Sequence, residues 1–165
     1  MAQKHFIIGG HGFVGGAIGA ELENRRKSCK FISRNDIDLA ASDCQAYNKS
    51  SINDGDIVII AAAKATEKNL DDVYENITII SNIIEGIREK KIAYILNVSS
   101  DAVYSDPAGL IDENSMTAPQ SAHGIMHCMR ELLLKRNLSG VIGTIRPTLI
   151  FGSGDPHNGY GPNSF

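Results

Sequence analysis

Three glycines placed at the end of an apolar run constrain this chain more than any other feature. Phe6-Ile7-Ile8 leads directly into Gly9-Gly10-His11-Gly12-Phe13-Val14-Gly15, and Ala17, Ile18 and Leu22 follow with helical periodicity. The order is strand, tight turn, helix. Gly9, Gly12 and Gly15 fall at G-x-x-G-x-x-G spacing. The first permits a sharp turn, the second lets backbone approach a pyrophosphate, and the third lets helix and strand come close. The helix N-terminus then presents N–H groups and partial positive charge to an anion. A glycine-rich turn that serves packing alone is the competing explanation. The position of the triplet, near the head of the chain and between a strand and a helix, favours nucleotide binding.

The remainder alternates in the same way. Strands are expected near residues 5–9, 30–33, 57–61, 93–98 and 141–150, with a very short strand or extended turn at 36–39. The run Ile57-Val58-Ile59-Ile60-Ala61 is continuously apolar, as in strands covered on both faces. Helices are expected at 12–25, ending in the basic cluster 25–27, at 42–49 with Ser42 as N-cap, at 69–90, and at 122–137. In the longest, Leu70, Val73, Ile77, Ile80, Ile84 and Ile87 form one stripe expected to be buried. Alternating β and α elements imply an α/β fold: a Rossmann-like, doubly wound parallel sheet with helices on both faces. Ligands of such sheets sit at the carboxyl ends of the strands. The glycine turn, Ser33-Arg34, residues 61–64, Ser99-Ser100-Asp101 and the segment after Ile150 collect there. Residues 1–151 read as one dinucleotide-binding domain and 152–165 as a loop tail.

Composition narrows the partners. A net charge of −3 gives no basic footprint for nucleic acid. No run approaches the roughly 18 apolar residues of a membrane span. The start of the chain carries no apolar signal core, and Cys29, Cys44 and Cys128 show no C-x-x-C spacing, so a cytoplasmic protein with reduced thiols is expected.

Arg34 directly follows the second strand. An acidic residue there accepts from a ribose 2′-hydroxyl, whereas a guanidinium fork suits a 2′-phosphate, so NADP is favoured over NAD. The alternative for Arg34 is an ordinary solvated side chain. Asn97-Val98-Ser99-Ser100-Asp101-Ala102-Val103-Tyr104 ends a strand with two hydroxyls, suited either to a substrate oxygen or to capping backbone groups.

Taken together, these pieces resemble the extended short-chain dehydrogenase/reductase family of sugar-nucleotide epimerases, dehydratases and reductases. The matching segments run in family order: the glycine turn, Asp38-Leu39, residues 56–63, Asn76, residues 99–104, and Arg146-Pro147-Thr148-Leu149-Ile150-Phe151-Gly152. The resemblance implies hydride transfer at a sugar carbon, a nucleotide-sugar substrate and a nicotinamide coenzyme. By position it sets Gly9, Gly12, Phe13, Val14 and Gly15 along that coenzyme. Ser33, Arg34, Asp38, Leu39, Ala61, Ala62 and Ala63 belong to the same lining. So do Lys64, Asn76, Val98, Ser99 and Pro147. Asp38 matches the residue that contacts adenine, and Lys64 a lysine placed near the cofactor in some epimerases. Ser100 matches the catalytic Ser/Thr, and Asp101 an aspartate acting as acid in the dehydratases, although their following Glu is Ala102 here.

Two departures stand out. Where the family carries Tyr-x-x-x-Lys, this chain carries His123 and His127. Imidazole can do acid–base work near neutrality, but neutral imidazole lacks lysine's fixed charge. The pair also has metal-ligand spacing, with His157 the nearest third ligand, although no Glu lies between them; no metal site is assigned. The second departure is length, since the family usually runs to roughly twice this and binds the nucleotide-sugar with its C-terminal part. The alternatives are a dinucleotide-binding module acting as sensor or subunit, and a Rossmann scaffold that binds nothing. A homodimer through the long helix and the helix at 122 is implied by analogy.

Overall fold

The computed structural model describes residues 3–64, 69–105 and 110–156. Among these, strands and helices alternate: β1 (His5–Ile8), α1 (Phe13–Asn24), β2 (Cys29–Ile32), α2 (Cys44–Ser51), β3 (Ile57–Ile60), α3 (Leu70–Ile87), β4 (Tyr94–Val98), α4 (Ala122–Asn137) and β5 (Ile142–Ile145), with a 3-10 turn at Asp101–Val103. Every strand pair is parallel, in the order β2-β1-β3-β4-β5. The chain steps one way from β1 to β2 and the other way from β2 to β3. Right-handed crossovers then carry α1 to one face and α2, α3 and α4 to the other.

Packing follows that division. Gly19 of α1 lies directly against Phe31 and Ile7. Phe6, Ile8, Val58, Ile60 and Ile95 share the opposite core with Cys44, Ile80, Ile83, Ile84 and Leu134. On the α1 face burial fades with distance from that helix. Ile7 is 0% and Ile59 4% exposed, but Ile145 on β5 is 41% exposed. This is the expected Rossmann-like α/β sheet.

Several element boundaries differ from expectation for local reasons. Arg26 adopts a left-handed conformation (φ 55) and ends α1 at Asn24. The Lys27 N–H then returns to the Leu22 carbonyl at 2.9 Å. Residues 36–39 take the turn option and form no strand, while Asp43 rather than Ser42 stands at the N-cap position of α2, with no side-chain cap hydrogen bond. The last strand stops at Ile145, because Pro147 has no N–H for a ladder and Leu149 turns left-handed (φ 44). The stripe on α3 is also corrected. Ile79, Ile80, Ile83, Ile84 and Ile87 are buried, Val73 and Ile77 only partly, and Leu70 is 62% exposed. The helix is flanked by α2 and α4 as well as the sheet, which widens its buried arc. His157 and residues 161–165 lie outside the described residues. No helix among the described residues is long and apolar enough to cross a membrane.

Ile83→Ala should cost about 2–5 kcal/mol in urea denaturation, as for truncation of a packed core side chain. Leu70→Ala should stay within about 0.5 kcal/mol. Equal losses at the two positions would contradict this packing.

Candidate functional site

A cleft opens at the carboxyl ends of β1, β2 and β3, where the chain reverses its travel across the sheet. Gly9 builds it. Its φ of 85 is left-handed, and a Cβ there would lie 2.6 Å from the Ala62 nitrogen. Gly15 in turn sits directly on the Gly9 carbonyl, so α1 starts close over the turn. The cleft holds a cavity of about 310 Å³. One wall is Gly9, Gly12, Ala61, Ala62 and Ala63; the other is Ser33, Arg34, Asp38 and Leu39, with His11 at the rim. Phe13 and Val14, both half-buried, open α1 at the cradle and direct its first N–H groups toward the cleft. A glycine floor, a helix start and an exposed cation fit a dinucleotide with its pyrophosphate over the turn.

Each wall is fastened from behind. Asn76, fully buried on α3, accepts from the Lys64 N–H (2.8 Å) and donates to the Lys64 and Asp72 carbonyls (both 3.1 Å). The Lys64 ammonium binds Asp72 (2.8 Å) and Glu75 (2.6 Å), and those carboxylates hold its pKa above the usual lysine value. Lys64 therefore serves the wall, and its charge is turned toward α3. Arg130, fully buried on α4, donates to the Ala62 carbonyl at 2.7 Å. On the other wall, Asn82 donates to the carbonyls of Leu39 and Ala41, both at 3.0 Å, and accepts from Gln45 at 2.9 Å. Hydrogen bonds from the Ser33 N–H and hydroxyl, both 2.9 Å, hold the Asp36 carboxyl below its ordinary range. Asp38 accepts from the Ala40 N–H at 2.9 Å, and Arg34 is exposed.

The second half of the site lies at the ends of β4 and β5. Val98 closes β4, half-buried on the α1 face. The buried Ser99 donates to Glu131 Oε1 at 2.5 Å. Glu131 also receives Arg146 through two bonds, at 3.0 and 2.7 Å, and Arg146 donates to the Tyr104 hydroxyl at 2.6 Å. Ser100 is half-buried; its hydroxyl accepts from the Ala102 N–H and donates to Asp101 Oδ1, both at 3.2 Å. The Asp101 N–H reaches the Pro147 carbonyl at 3.3 Å. Asp101, Tyr104, Arg146 and Pro147 line a second, more open cavity of about 910 Å³.

Helix α4 begins beside the turn after β4. Ser121 caps it by accepting from the Gly124 N–H at 3.1 Å. Gly124 lies against the Ala102 carbonyl, which brings His123 alongside the turn that carries Ser100 and Asp101. His123 and His127 meet edge to face, ring centroids 4.6 Å apart, rather than converging on a common point. His127 is buried with its Nδ1 unpartnered. Burial, then Arg130 and His123, push its pKa down to about 3. No group of three or more His, Cys, Asp or Glu side chains gathers at metal-binding distance among the described residues. Arg130, Asn82 and His11 were missed by the sequence reading. The one signal for Arg130 was its place one turn after His127, on the same helix face.

Comparison with known proteins agrees with this geometry. The model of the NAD dependent epimerase/dehydratase family matches residues 5–164. Among solved structures, DdhaC shares 26% identity, with a TM-score of 0.79 over 93% of this chain and 48% of its own. A dTDP-4-dehydrorhamnose reductase from Clostridium acetobutylicum shares 21%, with a TM-score of 0.80 over 94% of this chain and 57% of its own. MoeE5, solved in complex with UDP-glucose and NAD, shares 20% or less: 19%, with a TM-score of 0.75 over 93% of this chain and 56% of its own. The last two likenesses show the fold. The chain thus spans about half the length of these solved relatives. No curated protein matches the sequence.

The state of His127 has a measurable consequence. Unfolded, its imidazole takes a proton near pH 6.5; folded, it does so only near 3. The depressed folded value means that stability is intact above about pH 6.5 and is lost as pH falls toward 3, by up to about 1.4 kcal/mol per pH unit. Comparing denaturation of the natural chain and His127→Asn at pH 7 and pH 5 isolates this slope. The variant should lose less stability on acidification; equal losses would show that the ring is protonated in the folded state.

Proposed function

The chain belongs to the NAD dependent epimerase/dehydratase family, and we propose that it is the coenzyme-binding part of a nucleotide-sugar epimerase, dehydratase or reductase that prefers NADP. The observation that carries this reading is the cleft itself, a glycine-floored cavity at the strand reversal with Arg34 in its lining. Residues 1–151 act as the coenzyme domain, and 152–165 lead toward substrate contacts. A cytoplasmic location fits this chemistry. Ile125, Met129 and Leu132 share an exposed apolar face of α4, which supports pairing with a second copy.

Each residue has a task in this reading. Backbone N–H groups of Phe13, Val14 and Gly15 meet the pyrophosphate. Ser33 and Arg34 hold the 2′-phosphate, while Asp38 and Leu39 bound the adenine. Ala61, Ala62 and Ala63 form the wall along the ribose. A bound nicotinamide supplies hydride exchange with a sugar carbon. Ser100 hydrogen-bonds the sugar oxygen at that carbon, its hydroxyl aligned by Asp101 and Ala102. His123 takes or returns the proton on that oxygen, as an imidazole does near neutrality. His127, neutral, donates a ring N–H to a ribose hydroxyl. Asp101, facing the larger cavity, is a second acid for substrates that eliminate water.

A second reading, a coenzyme-binding module with no turnover, is favoured by one observation: the buried His127 is uncharged and so provides no fixed cation beside His123. Calorimetric titration and a turnover assay separate the two. NADP should bind more tightly than NAD, and Arg34→Ala should weaken NADP roughly 10- to 100-fold while sparing NAD, the worth of a charge-assisted contact. Tighter binding of NAD would remove the argument from Arg34. In turnover of a nucleotide-sugar, His123→Ala should lower kcat by about 10²-fold or more with coenzyme affinity retained. Coenzyme binding without turnover in the natural chain favours the second reading.

A further inference from the structure

The sheet has two edges, and they are finished differently. The β2 edge carries Lys30, whose ammonium lies over the rings of Phe6 and Tyr47, at 5.9 and 5.4 Å from their centroids. A charged side chain on an edge strand discourages further pairing. On β5, Val141-Ile142-Gly143-Thr144-Ile145 holds neither a charge nor a proline. This strand stands last in the sheet order, paired with β4 on one side. The Val141 and Ile145 carbonyls turn inward, accepting from the Ile95 and Ser99 N–H groups at 2.9 and 2.8 Å. Backbone direction alternates along a strand, so the N–H and C=O groups of Ile142 and Thr144 turn outward. No further strand lies there among the described residues.

The face beside this edge is apolar and uncovered. Ile95 and Ile142 pack into the core that holds Leu134 of α4, so their neighbours along the strands, Tyr94, Val141, Gly143 and Ile145, face the α1 side. Helix α1 covers Ile7 on that side, but Val141 is 62% and Tyr94 36% exposed, and Ile145 is open as well. Tyr94 lies across the bare Gly143, where a Cβ would strike its hydroxyl. Leu149, Ile150 and Phe151 are exposed just past the strand's end, before Gly152 meets Phe13 of α1. Six partly exposed side chains of this size form a patch of several hundred Å², at the upper range for a monomer. Two such patches brought together approach the roughly 1,000 Å² that a specific interface needs.

We infer that β5 is a docking edge for a second copy of this chain, joined antiparallel about a two-fold axis at Gly143. The edge is self-complementary, as a two-fold contact requires. Ile142 of each copy exchanges both of its outward backbone bonds with Thr144 of the other. Val141 of each copy then stands opposite Ile145 of the other on the α1 side, so exposed apolar side chains shield one another. The contact is separate from the exposed face of α4 and does not depend on what the cleft binds.

The test is sedimentation velocity of the full chain across micromolar concentrations, with amide hydrogen exchange followed by NMR at both ends of the range. Association should grow with concentration, and exchange at the Ile142 and Thr144 amides should slow with it by about tenfold or more. The Gly143 and Ile145 amides, which face β4, should change little. Val141→Lys places a charge at the edge, and Thr144→Pro removes an outward N–H. Each should weaken association about tenfold or more, because the two-fold axis doubles each loss. Val141 is exposed, so Val141→Lys keeps the test open if Thr144→Pro fails to fold. Leu132→Glu, on α4, should leave this association and both protected amides unchanged. A chain that stays monomeric throughout overturns the inference, as does association without protection at Ile142 and Thr144. Association that survives the edge variants but is lost in Leu132→Glu also overturns it and assigns the contact to α4.

Discussion

Everything at the site depends on one backbone-to-backbone approach, between the turn leaving β1 and the segment leaving β3. The Ala61 N–H donates to the Ile8 carbonyl at 2.9 Å, and the Gly9 N–H to the Ile32 carbonyl at 2.8 Å. The end of β1 is thereby stitched to both neighbours just where the sheet reverses. Gly9 has no Cβ, so Ala62 can close to a distance that any side chain would forbid. The segment after β3 has no ladder beyond Ile60 to hold it. Asn76 supplies both ends of a backbone pairing for Lys64, and Arg130 reaches across from α4 to the Ala62 carbonyl. Each such bond contributes only about 0.5–1.5 kcal/mol. Losing one, however, strands a buried amide or carbonyl, so the wall is held more firmly than the number suggests.

The interior under α4 follows a second rule, that two cations do not share a dry space. Arg130 and His127 are one turn apart and both buried. Burial already disfavours a charged imidazole, and the guanidinium, which does not deprotonate in a protein, adds to it, so His127 stays neutral. Next to them Glu131 and Arg146 form a two-bond ion pair that also gathers Ser99 and Tyr104. That cluster joins β4, β5, α4 and the turn after β4 into one rigid base.

The sheet and the cleft were legible in the sequence because they rest on local patterns. An apolar run followed by spaced glycines, and a five-residue apolar strand, read the same way in any context. The fasteners were not legible. Asn76 was visible as a marked position on the long helix, but nothing in the linear order says that its amide faces the Lys64 backbone instead of a ligand. Arg130 reads as one more basic residue on a polar helix; only the crossing of α4 over β3 buries it. Ser99 and Lys64 likewise sit at positions where the resemblance expects coenzyme lining, yet their polar atoms are engaged by Glu131 and by α3. The stripe on α3 was misread at its first turn because periodicity tells which residues share a face, and not how far the sheet extends beneath them.

The two ends of the cleft are finished to different degrees, and this bears on what binding and turnover require. The adenosine end is enclosed by elements from the first half of the chain, with its rim fixed by Asn82 and by the Ser33–Asp36 turn. The reacting end opens into a cavity about three times larger, beside a β5 face that carries Ile145 exposed. Energy for holding a dinucleotide comes mainly from its phosphates and adenosine, which on the proposed reading the enclosed end would meet. Turnover needs a sugar carbon held against the nicotinamide, and that demands contacts remote from the reacting atoms. On the proposed reading, coenzyme affinity would follow Gly9, Arg34 and their supports, and would not depend on what encloses Ser100 and His123.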